Sequence, residues 1–205
     1  MEKFDIIEHK QDKGEEGLFI LKAVNFILPT YVTVVATSNA ENGVSIGVDN
    51  GKAYLDNVEI GKVVKTHKGD EVKISREYDI KYTGGYSRDG KTLYLDRNFP
   101  ESIDILGKQL SMVESIARHH ELMEKWLSDD AYEYPYAHEV ATKIERMHVE
   151  SLGGDWAEYS KNVSRHLKDV AGRKLLKSPK DLDLSPYIYE RDQIALREIR
   201  ESMEL

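Results

Sequence analysis

The sequence predicts an α+β protein: a small antiparallel β-rich N-terminal part, then a hairpin, then a helical C-terminal part. Three observations predict it. Up to about residue 76 the apolar residues fall in short β-branched runs separated by Asn, Asp and Gly. Asp89-Gly90 sits between two stretches of alternating polarity, a two-residue hairpin signal. Beyond residue 103 the apolar residues recur at helical spacing. The division implied is 1–76 for a β-rich domain or docking region and 77–205 for the rest.

Taken in order, residues 1–16 are polar and read as irregular or peripheral. Residues 31–37 are β-branched and aromatic, which suits a strand. Residues 38–43 form a turn cluster, and 44–48 alternate ahead of Asn50-Gly51. Residues 53–55 and 58–60 flank a second turn at Asp56-Asn57, and Gly69-Asp70 makes a third. Strands this short and this evenly spaced predict a small antiparallel sheet or barrel. Residues 78–82 alternate, 83–87 read as flexible, and 91–96 read as a strand. A helix is expected over 103–127, broken by Asp129-Asp130, and a second over 136–151. Asp155 is an N-cap for a third, 156–170, and 189–203 reads as a charged terminal helix.

Composition narrows the function. The net charge of −8 argues against a general nucleic-acid binder, which needs clustered Lys and Arg on phosphates. The chain has no Cys, which removes disulfides, thiolate catalysis and Cys-held zinc. Any metal must use His and carboxylates. The longest apolar stretch, 18–36, is interrupted by Lys22, Asn25 and Pro29, so no membrane span is expected. The charged N-terminus does not read as a secretory signal.

The chemistry gathers in His120-Glu121-x-x-Glu124 and Ala137-His138. Residues four apart share a helix face, so His120 and Glu124 point together with Glu121 beside them. Such a pattern on one helix is often only a solvated charged face. Here the first helix is apolar before the motif, and His138 lies among small apolar residues, which favours a mononuclear metal site. His120, Glu124 and His138 are the expected ligands, leaving one position open for water. Glu121 is the expected general base. Glu145, seven residues after His138, either orients His138 or replaces it as a ligand. His119 is a weaker candidate because its i+4 neighbour is Met123, and His148, His166, His67 and His9 read as surface residues. Trp126 and Leu127 read as core, and the 181–184 carboxylates as a loop or cap.

The motif resembles that of the zincins, in which two ligands on one helix hold zinc and the adjacent Glu is the base. It departs at Glu124, where zincins carry His. The departure makes the site more anionic and fits a different or a structural metal as well as zinc. More broadly, the chain resembles a family of uncharacterised proteins found mainly in bacteriophages and prophages. The resemblance rests on Tyr82, Gly84-Gly85-Tyr86-Ser87, Asp89-Gly90-Lys91-Thr92, Tyr94-Leu95-Asp96-Arg97 and Pro100. It continues through His120-Glu121-x-x-Glu124, Tyr136-Ala137-His138, Ala141, Glu145 and Asp181-Leu182-Asp183-Leu184-x-Pro186-Tyr187. It covers about residues 77–192 and implies a phage-related origin with a zincin-like helical metal-binding domain. It also implies that the strand over 93–96 lines the substrate cleft as an edge strand.

Two functions from different classes follow. One is a zinc-dependent, zincin-like peptidase acting on a peptide or protein substrate. The other is a phage virion or assembly protein, in a head, connector or decorating role, whose β-rich part docks on other structural proteins around a degenerate or structural metal site. A metal-free binding module is the third. The expected locations are the host cytoplasm or the virion.

Overall fold

The computed structural model describes residues 1–203 and divides into two compact units, Met1–Asp70 and Glu71–Leu205. The first unit is a closed barrel. Its strands are β1 (Glu2–Gln11), β2 (Phe19–Asn25), β3 (Thr30–Ala36), β4 (Ser45–Asp49), β5 (Lys52–Leu55) and β6 (Val58–Lys68). They run in the order β1-β2-β3-β6-β5-β4, every pairing is antiparallel, and β1 closes the barrel on β4. Period-two alternation sends Phe4, Ile6, Leu21, Ala23, Val32, Val34, Ile46 and Ile60 into one buried core. Register shifts in β1–β2, β3–β6 and β5–β6 mark bulges, which bend strands enough to close so small a barrel. Two of the predicted turns form with left-handed residues: Asn50 and Gly51 at φ 48° and 75°, Asp56 and Asn57 at φ 49° and 66°. At Gly61 a β-carbon would come 2.1 Å from the Val35 carbonyl, so β6 can cross β3 only with glycine there.

The N-terminal segment is not irregular. Residues 2–11 form the ten-residue β1, with Phe4 and Ile6 supplying its inner face. The charged residues that made it look peripheral occupy the outward positions.

The second unit holds a three-stranded sheet. Strands β7 (Lys73–Ser75), β8 (Gly84–Tyr86) and β9 (Thr92–Leu95) lie in the order β7-β9-β8, with β7 parallel and β8 antiparallel to β9. The Asp89-Gly90 turn joins β8 to β9, with Gly90 at φ 67°. Two corrections follow. Residues 83–87 are not flexible: 84–86 form β8, and Tyr86 and Ser87 are buried. The 93–96 segment is not an edge strand, because β9 is paired on both sides; the edges are β7 and β8.

Residues 78–82 alternate but form no strand. They are pinned by the buried Asp79, whose carboxylate accepts from Arg97 at 2.7 Å and from the Leu176 and Lys177 amides at 2.7 and 2.9 Å. Nor is the expected helix over 103–127 continuous. Its first third is a hairpin, β10 (Ser102–Ile105) and β11 (Lys108–Ser111), around Leu106-Gly107 with both residues left-handed. Ile103, Ile105 and Leu110 point into the core from strands, where period two over eight residues imitates part of a helical period.

After the hairpin a π-helical segment, Val113–Glu121, runs without a break into α1 (Leu122–Asp129). Helix α2 (Tyr134–Ser151) begins after a short loop, with Pro135 in its first turn. Helix α3 (Trp156–Ala171) starts on Asp155, whose side chain accepts from the Glu158 amide at 2.9 Å. The terminal helix is two, α4 (Ser185–Tyr189) and α5 (Gln193–Met203), separated at Arg191, where φ is 57°.

Candidate metal centre

The motif helix and α2 pack side by side and bring His120, Glu124 and His138 together. His138 Nδ1 lies 2.8 Å from Glu124 Oε2 and 3.2 Å from His120 Nε2, and His120 Nε2 lies 3.8 Å from Glu124 Oε2. The same three atoms thus form a small triangle. Tetrahedral ligands ~2.0–2.1 Å from a zinc ion sit about 3.3 Å from one another, the mean of these edges.

Each carboxylate at the centre is steered by a tyrosine. The Tyr86 hydroxyl donates to Glu124 Oε1 at 3.1 Å, which leaves Oε2 to the histidines. The Tyr159 hydroxyl donates to Glu145 Oε1 at 2.6 Å, and Glu145 Oε2 accepts from His120 Nδ1 at 2.9 Å. With the Nδ1 proton committed to Glu145, Nε2, inside the triangle, is the nitrogen that would give up its proton to offer a metal its lone pair. Glu145 therefore orients His120, not His138 as the helical spacing suggested, because His138 sits at the start of α2 and the buried second half of that helix lies under His120.

Glu121 is 8% exposed, lines the same cavity and makes no hydrogen bond among the described residues. Gly84 of β8 lies directly against it: a β-carbon there would come 2.7 Å from Glu121 Oε1 and 2.9 Å from its Cγ. Burial, and then the Glu124 charge, push the Glu121 carboxyl up to about 8, with His120 opposing. Burial opposes the imidazolium of His120, but the hydrogen bond to Glu145 and the charges of Glu145, Glu121 and Glu124 outweigh it and raise it to about 9. The phenols of Tyr86 and Tyr134 are held well above their ordinary range, first by burial and then by Glu124 and Glu121, so both remain donors.

The cavity these groups line measures about 600 Å³, within the range of small-ligand sites. Its walls come from β8 and the residues before it (Tyr82, Gly84), from α3 (Val163, Leu167) and from the α4–α5 region (Tyr187, Glu190, Asp192). Tyr134 and Tyr159 belong to no motif, and Gly84, Tyr86 and Tyr187, though part of the string that carries the resemblance, had no role assigned from sequence. Gly84-Gly85 beside an aromatic was the one available signal, since adjacent glycines in a strand mark a close approach.

The other histidines separate from the site. His119 is buried; its Nδ1 donates to the Glu114 carbonyl at 2.6 Å, and its ring stacks on His148 with centroids 3.6 Å apart. His148 is therefore buried, not a surface residue; burial, then the neighbouring His119, lower it to about 4. Trp126 and Leu127 are core. Asp181 accepts from the Tyr94 hydroxyl at 2.6 Å, and Asp183 accepts from the Ser185 amide at 2.9 Å at the start of α4.

Comparison of the chain with protein-family models, curated proteins and solved structures finds no match. No helix among the described residues is long and apolar enough to cross a membrane.

Proposed function

We propose that the second unit is a divalent-metal-dependent hydrolase that acts on an extended peptide. The observation that carries the reading is the triangle of His120 Nε2, His138 Nδ1 and Glu124 Oε2, with the unpartnered Glu121 in the same cavity. Two imidazoles and one carboxylate are the donor set of a catalytic zinc, with room for a fourth partner. A metal held there would act as a Lewis acid and lower the pKa of water towards ~7. Glu121, as the carboxylate beside the ligands, would take the proton of a water bound there and return it to the leaving amine. Tyr134, whose ring lies against His138 with centroids 5.7 Å apart and which lines the cavity, would be the donor to the oxygen on which charge develops.

The peptide class is supported by β8. Thr83 pairs with Asp96 and Ser87 with Thr92 through hydrogen bonds, so Gly84 lies in the alternate position opposite Leu95. Its own N–H and C=O face away from β9; further along that side Tyr86 and Arg88 already bond to Asp183 and Asp181, so it is the Gly84 end, whose face lies against Glu121, that is left for an extended chain to pair with.

The test is metal content with and without His120→Ala, together with turnover of a mixed peptide library by Glu121→Gln. We expect one divalent ion per chain, its loss in His120→Ala, and an ion retained in Glu121→Gln with turnover reduced about 10²–10⁴-fold. A chain that takes up no metal when supplied with zinc, manganese or cobalt overturns the reading.

A further inference from the structure

We propose that the peptide carries a cationic side chain, Lys or Arg, seated between the tyrosines and carboxylates at the far end of the cleft. The inference rests on the hydrolase reading and names its substrate class.

The first observation is the imbalance of charge. Glu121, Glu124, Glu145, Asp183, Glu190 and Asp192 all line the cavity, against a single lysine, Lys81. That lysine is already engaged, with Glu198 at 2.6 Å and the Ala171 carbonyl at 3.1 Å. Asp183 pairs with a cation, Lys125 at 3.6 Å, and Lys81 also acts on Asp192, whereas Glu190 forms no ion pair among the described residues. A divalent ion at the three ligands would leave the cleft anionic. Such a field repels acidic peptides and draws in basic ones.

The second observation is independent of charge. The distal end is framed by two tyrosine pairs: Tyr82 on Tyr187, with centroids 6.3 Å apart and 18° between planes, and Tyr134 against Tyr189 at 5.6 Å. Tyr82 is 39% exposed, and its hydroxyl donates to Asp192. Glu190 forms no ion pair among the described residues, and its charge acts on both Tyr82 and Tyr134. Aromatic faces beside a carboxylate with no ion pair, Glu190, make up the recognition chemistry of an ammonium or guanidinium group. A neutral apolar side chain would bury Glu190 without a compensating charge, which is costly. The third is Glu121 itself, 8% exposed, without a hydrogen bond and facing the same cavity.

Two carboxylates flank Arg191, but Arg191 is exposed and does not line the cavity. The left-handed turn at that residue lets Glu190 and Asp192 both reach the cleft while the basic residue between them stays out.

The test uses the full chain as Glu121→Gln, so that bound peptide is not turned over, in metal-loaded and metal-free forms. The probes are three fluorescein-labelled ten-residue peptides on one Ala/Gly/Leu framework, with Lys, norleucine or Glu at the centre, read by anisotropy. The Lys peptide is expected to bind about tenfold or more tightly than the norleucine peptide, and the Glu peptide most weakly. The preference should collapse in Glu190→Gln and Asp192→Asn, singly or together, with metal content and melting temperature unchanged. Asn at 192 can still accept from the Ala195 amide and start α5, so the variant is expected to fold. Equal binding of the three peptides, or a Lys preference that survives both substitutions, overturns the proposal and leaves the metal reading standing. A chain that holds no metal yet keeps the Lys preference overturns the hydrolase and preserves the cation site.

Discussion

Tyr159 and Glu145 act on the candidate centre through one histidine. Glu145→Gln removes the charge that holds the proton on His120 Nδ1, and Tyr159→Phe frees the Glu145 oxygen that the phenol restrains. Each is expected to weaken metal binding about 10–100-fold with the fold intact, measured by competition with a chromogenic chelator. The His119–His148 stack supplies a different prediction. His148 titrates near 6.5 when unfolded and about 4 when folded, so the unfolded chain takes up a proton first as pH falls. Its contribution is complete above pH 6.5 and is lost as pH drops towards 4. His148→Phe keeps an aromatic ring on His119 without the proton, and the midpoint of acid unfolding, followed by circular dichroism, should move to lower pH. An unmoved midpoint would assign acid sensitivity to other groups.

At the scale of elements, the contact between β8 and the motif helix positions the proposed base. Gly84→Ala puts a methyl group within 3.0 Å of three Glu121 side-chain atoms, so that carboxylate must move. Turnover should fall at least tenfold while bound metal and melting temperature hardly change, because a misplacement of about 1 Å suffices. The elements themselves were unevenly legible. Hairpin turns at Asn50-Gly51, Asp56-Asn57 and Asp89-Gly90 were readable because their residues tolerate positive φ at little cost. The Leu106-Gly107 turn was not, since leucine seldom adopts φ 53° and only the glycine gave a hint. Strand β1 was hidden by its charged outer face. The π-helical turn had no signature in the sequence: Ile116 and Ala117 within it are buried as they would be in an α-helix of the same period. His120, Glu121, Glu124 and His138 were legible as i, i+1, i+4 and a neighbouring helix. The steering tyrosines were not, because they lie 38 residues before Glu124 and 14 residues after Glu145 on other elements.

Over the whole molecule, all three proposed ligands and every side chain that orients them belong to Glu71–Leu205. A fragment of residues 71–205 is therefore expected to bind metal with the affinity of the full chain, within about threefold, by the same chelator competition. A fragment that folds but binds more weakly would give the barrel a part in the site. Saturating metal should also raise thermal stability; at a hundredfold excess over Kd the gain is about 2.7 kcal/mol.

The buried Asp79 has a consequence for the order in which the chain can become competent. Its carboxylate is satisfied in part by amides 97 and 98 residues further along, and the Lys81 and Tyr187 groups beside it are likewise joined across more than a hundred residues. A nascent chain halted near residue 170 already contains the ligand triad and the base, yet it lacks Tyr187, Glu190 and Asp192 and leaves Asp79 short of two donors. Closing such long loops is slow. During synthesis the barrel can be finished early, whereas the cavity is completed only when the last two helices arrive, so the proposed ligands and base are present in the chain before the walls that close around them.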